Sequence, residues 1–198
     1  MIKQLLTLGF VIFLAGCSFV PQKINLLPTT SSWTAHEQRI QDIRNWQMGG
    51  KLGIRTQDDS SSVLFNWDQK EQAFHIELKG PLGQTGGIVS GDQYFATLEI
   101  PGEQAIAAAS PEELLLMRFQ WELPVRNAQY WVKGIPAPNS KYDATYADNR
   151  LATLTQDGWN ISYQRYIEAE KVVLPEKLIL TRDDLKLTLI LSDWHLID

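Results

Sequence analysis

Trp46-Gln47-Met48-Gly49-Gly50-Lys51-Leu52-Gly53-Ile54-Arg55 has a period of two: Trp46, Met48, Gly50, Leu52 and Ile54 fall on one side, and Gln47, Gly49, Lys51, Gly53 and Arg55 on the other. Successive side chains of a β-strand point to opposite faces, so this stretch predicts a strand with one face in a core and one in water. The pattern returns twice. Val63, Phe65 and Trp67 alternate with Leu64, Asn66 and Asp68, and Phe74, Ile76 and Leu78 alternate with His75, Glu77 and Lys79. Three half-buried strands in succession, joined by polar turns, predict antiparallel hairpins. Further strands are predicted over 87–90, 94–100, 151–155, 159–166, 177–181 and 185–191.

Helical spacing appears in two places. Ser32 is a plausible N-cap for a helix in which Trp33, His36, Ile40 and Ile43 recur on one face. In the middle of the chain, Ser110-Pro111-Glu112-Glu113 reads as a capping box with proline at the first helical position, followed by Leu114, Leu115, Leu116 and Met117. Residues 124–132 predict a second short helix ending near Gly134, and 136–149 read as a loop. The expected fold class is mainly β: one curved antiparallel sheet with about three short helices, in a single domain over 32–198. A long antiparallel sheet twists and curls, leaving a concave apolar face. The Leu-rich insertion is short for covering it, so a cavity is expected rather than a filled core.

The N-terminus carries an address. Lys3 precedes an apolar run from Leu5 to Phe13, which ends in Leu14-Ala15-Gly16-Cys17. A positive start, an apolar middle and a small-residue cleavage site are the layout of a bacterial secretory signal. The apolar run is too short to span a bilayer, which takes roughly 20 apolar residues. A cysteine directly after Leu-Ala-Gly resembles the lipobox of bacterial lipoproteins, whose thiol is diacylated and whose new amine is acylated after cleavage. The resemblance implies removal of 1–16, a lipidated Cys17 and a proline-containing polar tether over 17–31. Ser18 stands where inner-membrane lipoproteins commonly carry a retaining Asp, which implies an outer-membrane anchor facing the periplasm. Cys17 is the sole cysteine, so no disulfide framework is possible. With 18 basic residues against 23 acidic ones the formal net charge is −5. Neither nucleic acid nor anionic headgroups are expected to be held by bulk charge.

Catalytic chemistry finds little support. His36, His75 and His195 are scattered and form no metal-binding spacing, which favours surface or helix-face histidines. No GxSxG elbow is present. Asp58-Asp59 and Asp183-Asp184 lie between predicted strands, where turns account for them. The glycine-rich stretch Gly80-Pro81-Leu82-Gly83-Gln84-Thr85-Gly86-Gly87 lacks the lysine and helix of a phosphate loop and the glycine spacing of a dinucleotide loop. It reads as a hairpin loop in which Leu82, between Pro81 and Gly83, either folds back onto the core or is displayed outward. No enzyme, cofactor or metal is expected.

Taken in order, several pieces resemble the LolB family of outer-membrane lipoproteins. They are the lipobox, the helix before Trp46, Gly50-Lys51-Leu52-Gly53, Phe65-Asn66-Trp67, Leu78-Lys79-Gly80-Pro81-Leu82-Gly83, Leu123-Pro124-Val125, Trp131-Val132-Lys133-Gly134-Ile135-Pro136, Gly158-Trp159, Leu174-Pro175-Glu176-Lys177-Leu178 and Trp194. The resemblance implies an unclosed β-barrel lidded by helices. It implies a receptor that takes lipoproteins from a periplasmic carrier resembling LolA, holds their acyl chains in an apolar cavity and inserts them into the outer membrane. Leu82, flanked by Pro81 and Gly83, becomes the protruding residue of a membrane insertion loop. The Ala-rich 105–109 stretch departs from some family members. Candidate cavity residues are Met48, Leu52, Ile54, Phe65, Trp67, Ile76 and Leu78, for each of which ordinary core packing gives the same pattern. The expected partners are the carrier, client lipoproteins and the outer membrane, with the protein itself a monomer. Two other readings remain at this stage: a structural or assembly outer-membrane lipoprotein, with a flat apolar binding surface, and a lipocalin-like carrier of a small apolar ligand, with a closed barrel. An open cavity beside a projecting Leu82 separates the receptor from both.

Overall fold

A computed structural model describes residues 32–80 and 84–197. The signal segment 1–16, Cys17, the 17–31 tether and the loop residues Pro81, Leu82 and Gly83 lie outside the described residues. Helix α1 (Trp33–Gln41) precedes six strands, β1 (Asn45–Arg55), β2 (Ser60–Lys70), β3 (Ala73–Lys79), β4 (Thr85–Gly91), β5 (Ala96–Glu99) and β6 (Ile106–Ala108). Helices α2 (Pro111–Phe119) and α3 (Val125–Trp131) follow. The chain then returns through β7 (Tyr142–Ala147), β8 (Arg150–Gln156), β9 (Trp159–Ala169), β10 (Val172–Arg182) and β11 (Leu185–Ile197).

The strands form one antiparallel sheet in the order β6-β5-β4-β3-β2-β1-β11-β10-β9-β8-β7. Each strand pairs with its sequence neighbour except at the centre, where the first strand lies against the last. Leu52 faces Leu189 there, and Gly50 faces Leu191. The sheet does not close into a barrel, because β6 and β7 are its two edges. The chain joining those edges is the helical insertion.

The alternation read from the sequence is realised on β1: Trp46, Met48 and Ile54 are buried, while Gln47, Lys51 and Arg55 are exposed. Trp46 packs against Trp67 of β2 and Trp194 of β11, with ring centroids 5.3 and 5.4 Å away. Gly50 has a specific reason. A Cβ there would lie 2.6 Å from the Ile190 carbonyl oxygen and 2.8 Å from the Phe65 ring, so the glycine leaves room for that ring to lie across β1. Ser32 caps α1 by accepting from the Ala35 N–H at 3.1 Å. Ser110 caps α2 through Glu113 N–H at 3.1 Å, and the Glu113 carboxylate reaches back one residue further than a standard capping box, to the Ala109 N–H.

Three features differ from the sequence reading. Part of the predicted 136–149 loop is the edge strand β7, whose residues are nearly all exposed and so show no burial alternation. The three-residue β6, in the Ala-rich stretch, is too short to carry a period. Tyr94 and Phe95 belong to a turn rather than to β5, because Asp92 Oδ1 accepts from both of their backbone N–H groups.

Candidate functional site: an apolar cavity under the helical insertion

The curl of the sheet and the two inserted helices enclose a cavity of about 80 Å³. Leu52, Phe65, Trp67, Ile76, Leu78 and Val89 line it from β1–β4, and Leu180, Leu187 and Leu189 from β10 and β11. The cover is supplied by Leu115 of α2, by Trp121, Leu123 and Pro124 of the connector, and by Val125 and Ala128 of α3. Every lining residue is apolar. The one polar group of Trp67 is turned to use elsewhere: its indole N–H donates to Gln69 Oε1 at 2.9 Å, and Gln69 in turn donates to the Glu71 carbonyl. Such a wall suits hydrocarbon and offers no hydrogen-bond partner to a polar reactant.

Five of the candidate residues thus meet on one wall. Met48 and Ile54 share the buried face of β1 but lie off the wall. Met48 is packed in the core, and Ile54 sits at the rim, beside a second, polar hollow of about 300 Å³. That hollow is lined by Thr56, Asp59, Glu122, Arg182, Asp183 and Asp184 among others, and it shares Trp121 and Leu123 with the apolar cavity. Trp121 and Leu123 are therefore the partition between the two spaces. The β11 wall residues carried a legible signal, alternation through Leu185, Leu187, Leu189 and Leu191, whereas Trp121 and Leu123 sit in a connector with no period.

The cover is fastened in two ways. Beyond α3 the chain is tied to the sheet through buried groups. Trp131 Nε1 and the Ala137 N–H both donate to Gln156 Oε1, at 2.8 and 2.9 Å, and Gln156 donates to the Ala137 carbonyl. Lys133 Nζ donates to the Ile43 carbonyl at 2.7 Å, and burial pulls its pKa down to about 8. On the α2 side the polar ties are exposed ion pairs, Arg118 with Glu103 at 2.8 Å and Glu122 with Arg182, whose guanidinium lies 4.7 Å from the Trp159 ring centroid, while Pro111, Leu114 and Leu115 of α2 are buried in the core. Exposed pairs are worth about 0–1 kcal/mol each. Gln120, in the left-handed conformation at φ 58°, ends α2 between the helix and the partition.

The histidines separate. His75 and His195 lie towards the outer face of the sheet, whereas His36, expected at a surface or helix face, is buried on α1 with neither ring nitrogen hydrogen-bonded. The half-buried Trp33 beside it and the core under α1 leave no solvent for the ring. Among the described residues no group of three or more His, Cys, Asp or Glu is placed to hold a metal ion.

An unclosed antiparallel sheet covered by helices is a fold that this chain shares with solved structures, a LolA superfamily protein among them. A LolA superfamily protein from Nitrosomonas europaea superposes with a TM-score of 0.56 over 85% of this chain and 95% of its own, at 12% identity. A DUF1329 family protein from Desulfovibrio piger gives 0.60 over 86% and 94%, at 8% identity. At such identities the likeness is one of fold. Sequence goes further. Residues 44–194 match the family model "Outer membrane lipoprotein LolB". An outer-membrane lipoprotein LolB of Ectopseudomonas mendocina is 38% identical over 98% of this chain and 97% of its own length, and one of Pseudomonas aeruginosa is 42% identical over 83% and 80%. The chain belongs to the LolB family of outer-membrane lipoproteins.

Proposed function

We propose that this protein is the outer-membrane receptor for lipoproteins arriving on a soluble carrier of the LolA type, that it holds their acyl chains in the apolar cavity, and that it releases them into the bilayer. The observation that carries the reading is a cavity wall made only of apolar side chains, roofed by a helical insertion whose connector is tied to the sheet by an exposed ion pair. A lipoprotein exposes tens of methylenes, each worth roughly 0.8 kcal/mol on burial, so passage through open water is prohibitive. The chain has no nucleotide-binding loop, so transfer runs downhill from carrier to receptor to bilayer.

The cavity as it stands is small. At about 10–15 Å³ per water by the same measure, 80 Å³ is room for about six water-sized groups. Acyl chains need several times that. Acceptance therefore requires the hollow to widen, and the 120–124 connector, in which Trp121 and Leu123 are only half-buried, is the part of the roof that moves while α3, tied through Gln156 and Lys133, stays. Moving Trp121 and Leu123 joins the apolar cavity to the neighbouring hollow of about 300 Å³.

Cys17 anchors the body at the membrane and takes no part in transfer. Leu82, between Pro81 and Gly83, enters the lipid. Its burial gains roughly 1.5–3 kcal/mol, too little to anchor a protein and enough to bias a docked encounter. The ends of that loop are pinned, since the Gly80 N–H donates to the Gln84 carbonyl at 2.9 Å. The test is a two-stage transfer assay with a labelled lipoprotein on the carrier. Leu82→Glu is expected to accept client normally and to fail in delivery to liposomes. Delivery at the normal rate removes Leu82 from the mechanism, and failure of the unaltered protein to take client from the carrier removes the receptor function.

A further inference from the structure

We infer that the polar hollow beside the apolar cavity is a head-group site. It takes the neutral ester and amide groups of an acylated cysteine while the acyl chains lie in the cavity, and it turns anionic amphiphiles away. The inference rests on the receptor reading above and gives a second part of the client its own place.

The first ground is continuity. The same four strands line both spaces: Leu52 and then Ile54 on β1, Phe65 and then Ser61 on β2, Leu180 and then Arg182 on β10, Leu187 and then Leu185 on β11. Residues two apart on a strand share a face and are about 7 Å apart. The hollow therefore begins one or two such steps beyond the cavity wall, toward the β1–β2 and β10–β11 turns, where Ile54 faces Ser61 and Arg182 faces Leu185 across the ladders. Trp121 and Leu123 belong to both linings and are half-buried. At the opposite end a smaller hollow of about 60 Å³ is cut off from the cavity by Trp67 and Val125, which are buried. The end open to an amphiphile's head is thus the turn end.

The second is chemistry. The ester or amide carbonyl of an acyl chain follows its first methylene directly, so the head lies just beyond the wall that holds the chain. A carbonyl taken out of water there needs a donor, because leaving it unpaired is costly. The inner rows change character at that step. The row of Leu180 ends in the Arg182 guanidinium and the row of Phe65 in the Ser61 hydroxyl. Gln120 adds an amide, one hydrogen of which goes to the Leu116 carbonyl at 3.1 Å. Thr56 is engaged in its own turn, where its hydroxyl accepts from the Asp59 N–H at 3.0 Å.

The third is charge. The carboxylates of Asp59, Glu122, Asp183 and Asp184 line the hollow against one guanidinium, that of Arg182, which Glu122 pairs. The lining as a whole is negative. A neutral ester or amide meets no repulsion there, and the peptide N–H groups that follow an acylated cysteine find carboxylate acceptors. A phosphate or a fatty-acid carboxylate meets like charge at the mouth. A receptor anchored in a membrane faces phospholipid, whose acyl chains suit an apolar wall as well as a client's do. Tails do not separate the two, and a head site of this charge does.

The test uses the chain from residue 17 onward with Cys17→Ala, so that no acyl anchor competes for the cavity. Diphenylhexatriene, an apolar probe with no head group, is bound first. It is then displaced by N-palmitoyl-S-methylcysteine methylamide or by hexadecyl phosphate, whose chains match in length. The neutral amide is expected to displace the probe at about tenfold lower concentration than the phosphate. Asp183 is left-handed at φ 50°, a backbone that asparagine tolerates, so Asp183→Asn with Asp184→Asn keeps the turn. That variant is expected to bring the two amphiphiles within about threefold of each other. Ser61→Trp fills the hollow and is expected to raise the amide concentration needed about tenfold, while diphenylhexatriene binds as before. Equal displacement by both amphiphiles in the unaltered protein overturns the inference, as does an unchanged preference in the asparagine variant. So does a Ser61→Trp protein in which probe and amide are both unaffected or are weakened alike. If the unaltered protein binds no diphenylhexatriene, the cavity and the receptor reading fail, and the inference with them. The expected preference in a protein that takes no client from the carrier supports the head site while defeating the receptor reading.

Discussion

Replacing Ala128 by phenylalanine separates a working cavity from an imperfectly filled core. Ala128 is the smallest side chain on the wall, and it sits on α3, the helix that continues into the buried ties to the sheet. The ring adds six carbons to a space with room for about six water-sized groups. If the space is empty and apolar, the ring fills it, and cavity-filling substitutions commonly gain about 0.5–2 kcal/mol. For a domain of this size that raises the unfolding temperature by about 2–4 °C per kcal/mol. Function moves the other way, because the volume offered to acyl chains is gone. Ala128→Phe is therefore expected to be more stable by about 1 kcal/mol and unable to bind a fluorescent acyl probe or to take client from the carrier. Thermal unfolding and probe displacement on one preparation measure both. A packed core answers differently: overpacking costs about 1–3 kcal/mol. A lowered unfolding temperature with probe binding intact would refute the cavity argument.

Three further outcomes are expected. Glu122→Gln removes the exposed pair with Arg182 and is expected to cost under about 1 kcal/mol in stability while speeding client acceptance; stopped-flow uptake measures it, and an unchanged rate places the moving part elsewhere. His36 is held neutral in the fold, its pKa pulled from 6.5 down to about 4 first by burial, then by Arg150 and Arg39. The unfolded chain binds that proton at the higher pH, so the stability His36 confers is complete above pH 6.5 and is lost as pH falls toward 4. His36→Leu is expected to flatten the fall in unfolding temperature over that window, and an unaltered slope assigns the fall to other groups. Gly50→Ala forces a methyl against the Ile190 carbonyl and the Phe65 ring, and is expected to destabilise by about 1–3 kcal/mol by urea unfolding; a neutral result means that Phe65 swings aside freely.

The strands with one wet face were legible because burial writes a period of two into them, as Trp46 to Ile54 and Phe74 to Leu78 do. The edges were not. β7 has both faces near water, so Tyr142 and Tyr146 meet the same environment as Asp143 and Thr145, and no alternation is selected. The cavity wall was legible where it is strand. Leu52, Phe65, Trp67, Ile76 and Leu78 follow from the pattern, but nothing in the pattern separates them from Met48, which has the same alternation and is packed in the core. Which face residues meet a void depends on what lies opposite, and that is decided by Trp121 and Leu123, whose placement comes from the ends of two helices rather than from any repeat. The order of the sheet is likewise a long-range property: the alternation of Leu185 to Leu191 predicts a strand but does not name β1 as its neighbour.

The seam between β1 and β11 has a consequence for timing. Ten residue pairs join these strands, and they lie at the two ends of the folded chain. Contacts this distant in sequence are made late, because the chain between them must be in hand first. Until Leu185–Ile197 arrives, β1–β6 and β7–β10 are two separate ribbons, each with an open edge at the future centre. A chain delivered from its N-terminus thus remains unfinished until the thirteen residues of β11 are present. A product cut short before them has no concave face to present, so an incomplete copy cannot take up a client and hold it.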